Sequence, residues 1–485
     1  MKLSQKVALN SSVQALSRGF LAAAGIVSVA IATRYLSIDQ YGAVLAAMVL
    51  FSLLGFATDF GISAMTVRAI ARDPENETAI ASSAFWVWVC FTLPTALLIL
   101  VSSLVFYPGG DGETTRHAVL VMMLIFPLGP FAGVAGVHAI ASQRVWILSL
   151  ATIFSRAASL VFLILAAALD LGPLGITAAF ASGYVFEQAF SIAFIRPTIR
   201  FSLGLHRARI WSLLAAAVPL GLVMMINGLY FRLDAFLLSL LGGERDLAVY
   251  GVAYKAFESL LGLPDFVMVT LIPVLAKLEL REERFRELVQ KAFTAMTILA
   301  LPILGLSILG REMMIALGGE KYAGGGLVLT LIMCSVAFAT VQAVFGNALV
   351  TQGKQTLLLK VSVTILVANA LINLAAIPLF GAEGAAGALL ATEALSFGLT
   401  LIVYGRIADL PRVQQPVKLA AGLGALIAAA AICQLISSPV VAVLAGAATG
   451  LLAYGATLLA LGAMPRYIRE PFETSFRALR TKVVG

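Results

Sequence analysis

Charge is scarce in this 485-residue sequence: Asp, Glu, Lys and Arg make up 12%, against 60% hydrophobic residues. A soluble globular domain carries about 25% charged residues, and a soluble core of this size would still need a charged coat. The shortage excludes a large soluble enzyme and leaves lipid as the solvent for most of the surface. Cysteine and histidine are equally sparse. Cys90, Cys334 and Cys433 lie far apart in apolar stretches, and His117, His138 and His206 are scattered. No metal centre or disulfide framework is expected from such spacing. P-loop, GxSxG and HExxH patterns are missing, so neither a catalytic constellation nor a bound cofactor is expected. The net charge is +8, but the basic residues sit in short connectors instead of one patch. That is how topology determinants are placed, so no nucleic-acid partner is expected.

What the chain does have is apolar length. A span needs roughly 20 apolar residues. Blocks of that kind recur at about 12–33, 42–66, 80–107, 118–141, 146–169 and 174–195, and after a basic connector at about 211–233, 249–276, 288–310, 326–350, 357–377 and 384–405. A last pair falls at about 418–436 and 440–462, while 234–248 is apolar only briefly and stays ambiguous. The first block is long enough to span, so it reads as a transmembrane helix in place of a cleavable signal. The expectation is an all-α polytopic membrane protein of about 14 spans. With alternate connectors assigned to opposite sides, 24 of the 33 Lys and Arg residues fall on the side of the amino terminus. Only Arg34, Arg116, Arg245, Arg311 and Lys321 fall opposite, and Arg18, Arg156, Arg232 and Lys255 fall within blocks. This bias predicts that both termini are cytoplasmic.

The sequence also resembles itself at one offset without gaps. Gly19 maps to Gly228, Tyr41-Gly42 to Tyr250-Gly251, Ala139 and Gln143 to Ala348 and Gln352, and Gly172 and Gly175 to Gly381 and Gly384. The expected organisation is therefore two six-helix lobes, 1–209 and 210–417, in parallel pseudo-twofold repeat. Residues 418–485 add a transmembrane pair and a tail.

Ionisable residues inside the blocks are Arg18, Asp59, Arg156, Glu187, Arg232, Asp234, Lys255, Glu258, Asp265 and Glu393. Each costs about 2.5–3.5 kcal/mol at a helix centre on insertion scales, so such groups face a cavity or a partner. Converging cations would suit an anionic cargo, with arginine a bidentate phosphate binder. The alternative is internal pairing, which Lys255 with Glu258 and Arg232 with Asp234 invite by proximity. Asp59 is expected to cap a helix end. Asn369 and Asn373 share a helix face, and Thr392 follows on the next block. They suit either small-cation ligation or interhelical hydrogen bonds.

Several stretches resemble the polysaccharide-biosynthesis oligosaccharide flippases of the multidrug/oligosaccharidyl-lipid/polysaccharide exporter superfamily. Arg34-Tyr35-Leu36 through Tyr41-Gly42 is similar to their R-x-L-x-x-x-x-Y-G opening, and Thr58-Asp59-Phe60-Gly61 follows with Arg68 and Arg72 behind it. Arg232-Leu233-Asp234 with Val249-Tyr250-Gly251, and the run from Asn369 to Glu393, resemble the start and the most distinctive part of the second lobe. The resemblance implies translocation of a polyprenyl-pyrophosphate-linked oligosaccharide across a bacterial cytoplasmic (inner) membrane by alternating access. Arg18, Arg34, Arg156, Arg232 and Lys255 are the expected headgroup ligands. Asp234, Asn369, Asn373 and Thr392 match positions that ligate sodium in some lipid II flippases, so H+ or Na+ coupling is expected, although Asn373 stands where an acid would be. Membrane lipids and polysaccharide polymerase machinery are the further expected partners. The rival readings are a lipid II flippase, a multidrug exporter of the same superfamily, which would favour an acidic cavity, and a membrane polysaccharide polymerase or ligase, which needs a larger outer loop than any here.

Overall fold

The computed structural model describes residues 3–195, 203–280 and 282–465, with Tyr467 and Arg469. Among these residues the secondary structure is helical throughout, without strands. The α-helices are α1 (Leu3–Tyr35), α2 (Ile38–Asp59), α3 (Ile62–Arg72), α4 (Glu77–Phe106), α5 (Glu113–Met122), α6 (Gly129–Ala141), α7 (Val145–Ala168), α8 (Gly172–Ile195) and α9 (Arg207–Tyr230). They continue as α10 (Leu233–Leu241), α11 (Gly243–Leu260), α12 (Leu263–Leu275), α13 (Glu283–Leu306), α14 (Gly310–Gly318), α15 (Gly326–Thr351), α16 (Gln355–Gly405), α17 (Pro416–Cys433) and α18 (Pro439–Ala460).

Eleven helical stretches among the described residues are long and apolar enough to cross a membrane. The difference from about 14 blocks has local causes. In α1 the side chains before Gly19 lie, apart from Ser17, outside the described residues, and the described stretch Gly19–Tyr35 is apolar but shorter than a span. The block at 249–276 is interrupted between α11 and α12, and α11 opens with Glu244, Arg245 and Asp246. The blocks on either side of residue 380 join into the 51-residue α16. A straight helix of that length would extend over about 75 Å, more than twice a hydrocarbon core of roughly 30 Å. Its path breaks at Gly381 (φ 53°, ψ −129°), a conformation open to glycine. Large apolar side chains cover the outside, with Leu435 at 85% and Val417 at 80% exposure. In water such a surface would aggregate; in lipid it is the expected one.

Helix ends follow from their residues. Ser37 opens α2 with a capping box: its Oγ accepts from the Gln40 amide at 3.1 Å, and Gln40 Oε1 accepts from the Ser37 amide at 3.0 Å. Asp59 is the cap its position suggested. Its Oδ1 accepts from the Ser63 amide at 3.2 Å, the Ser63 hydroxyl at 2.5 Å and the Trp88 indole at 3.2 Å.

Helix packing divides the chain into two compact units, Met1–Gly251 with Asn373–Ala382, and Val252–Ile372 with Glu383–Gly485. In the first, α1 lies along α7 and α7 along α8, while α3, α4, α6 and α9 enclose Ile62, Phe85, Trp88 and Val134. In the second, α12, α13 and α15 enclose Phe285, Met296, Phe345 and Tyr404, and α17 pairs with α18.

Candidate translocation site

In the first unit, α7 and α8 pack closely because Gly183 faces Ser159 and the Ser155 carbonyl, where a side chain would crowd. That closeness brings α7 hydroxyls against an α8 carboxylate. Glu187 accepts from Thr152 Oγ1 at 2.6 Å and from Ser155 Oγ at 3.3 Å. Arg156 follows Ser155, is half-buried, and holds its guanidinium 5.4 Å from the centroid of the Tyr184 ring. Among the described residues it has no ion-pair partner, and Glu187 is occupied by hydroxyls. A cation–π contact contributes about 0.5–2 kcal/mol. That offsets only part of the insertion cost of about 2.5–3.5 kcal/mol for a mid-membrane arginine. Arg156 is thus a cation held in place with charge to spare. Ser17 packs beside the same helix, its Oγ 3.5 Å from the Ser149 carbonyl. The side chain of its neighbour Arg18 lies outside the described residues.

The other expected cations are placed differently. Arg34 is exposed in the last turn of α1. Next to it, the Tyr35 hydroxyl donates to Asp170 at 2.7 Å and accepts from the Gly172 amide at 2.8 Å. Arg232 is half-buried at the N-cap of α10. Lys255, in the second unit, donates to Glu258 Oε2 at 2.9 Å, so its charge is met one turn along its own helix.

Of the four coupling-ion candidates, Asn369 and Thr392 come together, with Asn369 Nδ2 3.4 Å from Thr392 Oγ1. Both are buried, and Thr392 donates back to the carbonyls of Ala388 and Leu389. Asn373, also buried, packs with the first unit. There Asp234 is only 2% exposed and accepts from the Tyr250 hydroxyl and from the Ala235 amide at 2.8 Å. The side chain of Asp265 lies outside the described residues.

Sequence reasoning missed Tyr250 and Tyr184 as functional neighbours. Tyr250 stood out only as the repeat partner of Tyr41, and its hydroxyl's target, Asp234, lies 16 positions away on another helix. A buried acceptor left without its donor costs about 1–3 kcal/mol. Tyr250→Phe is therefore expected to lower the thermal midpoint of the purified protein, and Asp234→Asn in the same chain to restore part of it. An unchanged midpoint for Tyr250→Phe would mean that other donors satisfy the Asp234 carboxylate.

The family model described as polysaccharide biosynthesis protein matches residues 7–279. Among solved structures, the lipid II flippase MurJ in an inward closed conformation is similar at TM-score 0.77 and 12% identity, over 93% of this chain and 99% of that one. An inward-facing multidrug resistance MATE family transporter of the MOP superfamily is similar at TM-score 0.64 and 14% identity, over 82% and 97%. A MOP superfamily transporter from Pyrococcus furiosus is similar at TM-score 0.53 and 14% identity, over 80% and 94%. No curated protein matches the sequence. At these identities the structural likeness establishes the fold.

Proposed function

Because the chain belongs to the polysaccharide biosynthesis protein family, we propose that it is a flippase carrying a polyprenyl-pyrophosphate-linked oligosaccharide across the bacterial inner membrane. The observation that carries this reading is Arg156, a half-buried cation on an apolar helix, with no carboxylate partner among the described residues and an aromatic face holding it. Such a group suits a phosphate, which arginine engages through two parallel N–H bonds. A cation-exporting pump would favour a carboxylate there. Arg18, Arg34 and Arg232 extend the headgroup path in this reading. Lys255 contributes less, because Glu258 already meets its charge.

The reading places 1–209 and 210–417 as two lobes that rock about the cargo, with 418–485 an appended pair and both termini cytoplasmic. Proton or sodium coupling belongs to it, with Asp234 the acidic candidate and Asn369, Asn373 and Thr392 the neutral ones. So do membrane lipids and polymerase machinery as partners. The fold shared with a lipid II flippase favours lipid II as the second reading, since its cargo has the same pyrophosphate chemistry.

The test is reconstitution of the full chain in vesicles containing a fluorescent lipid-linked oligosaccharide, with a membrane-impermeant quencher outside. The protein is expected to expose the inner-leaflet pool within minutes. A quenched fraction equal to that of protein-free vesicles would refute the proposal. Lipid II in parallel vesicles separates the two cargoes.

A further inference from the structure

A cavity of about 230 Å³ lies in the second unit where three helices meet one boundary of the membrane. Thr294 and Ile298 of α13, Gln414, Gln415 and Leu419 at the start of α17, and Gly462 to Pro465 after α18 line it. Its level follows from the sequence of each wall. α17 begins at Pro416 and α18 ends at Ala460. α13 carries Glu283, Arg284, Arg286, Glu287 and Lys291 on its first turns and then becomes mainly apolar from Ala292. All three therefore pass from lipid to water here, at the depth of lipid headgroups.

The charges around the cavity are unequal in their partners. Arg286 is paired with Asp409 at 2.8 Å, and Lys291 with Glu287 at 2.6 Å. Arg412, two residues before the lining Gln414, has its amide fixed by Gln290 Oε1 at 2.8 Å, and Lys418, next to the lining Leu419, donates its amide to the Gln415 carbonyl at 3.0 Å. Neither side chain has an ion-pair partner among the described residues. Two cations with no carboxylate partner among the described residues thus stand within two positions of residues that line the pocket, whose polar wall is Thr294, Gln414 and Gln415. Exposed Val413, Val417, Leu459 and Leu461 continue from it as apolar surface.

We propose that this cavity binds the phosphate headgroup of an anionic phospholipid, with Arg412 and Lys418 on the phosphate and the acyl chains along α17 and α18. The volume suits a headgroup better than a drug-sized ligand, which needs about 300–1,000 Å³. Cations at a membrane surface attract anionic lipid, and a pocket between them converts that attraction into a site. The site is separate from the translocated cargo and holds whatever the cargo is.

The full chain in neutral detergent is titrated with phosphatidylglycerol, and in parallel with phosphatidylcholine of the same chains, and read by native mass spectrometry. One phosphatidylglycerol is expected to be retained where phosphatidylcholine is lost. Arg412→Gln with Lys418→Gln is expected to weaken retention at least about tenfold, as loss of charge-assisted bonds does. Ile298→Trp, which fills the cavity and leaves both cations, is expected to weaken it similarly. Arg286→Gln is expected to leave it unchanged, and elution volume verifies the fold of each variant. Equal retention of the two lipids, full retention by Ile298→Trp, or an equal loss in Arg286→Gln would overturn the proposal. Displacement of the lipid by millimolar inorganic phosphate would reassign the cavity to a free anion and overturn it as well.

Discussion

Replacing Arg18 and Arg156 together by alanine is expected to abolish translocation while the protein still inserts and purifies as the wild type does. The two expectations separate because Arg156 holds little of the fold. Arg156 contributes a cation–π contact to Tyr184, worth about 0.5–2 kcal/mol, and its removal also relieves a larger insertion cost of about 2.5–3.5 kcal/mol. Its stake in an anionic cargo is larger. A hydrogen bond to a charged group contributes about 1.5–3 kcal/mol, so each arginine lost should slow transport by roughly tenfold to a hundredfold. Both together should bring it to background. Arg156→Lys is expected to fall between, since an ammonium keeps the charge and loses the two-pronged geometry. The measurement is the quenched fraction in reconstituted vesicles, with elution volume as the check on folding. Wild-type rates in the double variant would remove phosphate recognition from these two side chains.

Much of this architecture was legible in the residues themselves. Apolar blocks of span length predicted the helices, because in lipid every backbone group must be satisfied within its own segment. Asp59 was legible as a cap, since its TDFG run ends one helix and opens another. The break within α16 falls at Gly381, a position the repeat had already marked. Less visible was what each charge touches. Lys255 and Glu258 are three apart, and their pairing follows from helical geometry. Glu187 is 35 positions from Thr152, and Asp234 is 16 from Tyr250. Such contacts depend on how helices rotate against one another, and an apolar chain states that rotation weakly because most of its faces look alike. For Asn369, Asn373 and Thr392 the sequence left two roles open for a related reason. Shared spacing on a helix fixes a face, but whether the face meets an ion or a hydroxyl is set by the neighbouring helix.

The matched glycines of the repeat give the sharpest contrast between sequence and structure. Gly42 and Gly251 each follow a buried tyrosine, Tyr41 and Tyr250, and the sequence treats them as equivalents. Their surroundings differ. A methyl group on Gly42 would overlap the Glu244 carbonyl oxygen, with the carbonyl carbon at 2.5 Å and Cα at 2.8 Å. This is backbone at the start of α11, and it has no rotamer by which to yield. The Glu244 side chain also accepts from Thr115 at 3.3 Å, so a displacement strains α5 as well as α2. A methyl on Gly251 would overlap only Cδ1 of Leu45, the far end of a side chain that can rotate. An altered rotamer costs about 0.5–1.5 kcal/mol, whereas overpacking against fixed atoms costs about 1–3 kcal/mol or more. Gly42→Ala is therefore expected to lower the thermal midpoint in detergent severely or to prevent recovery of monodisperse protein. Gly251→Ala should elute normally and melt within a few degrees of the wild type. Equal tolerance at the two positions would mean that α2 and α11 do not approach at Gly42 as closely as the fold requires.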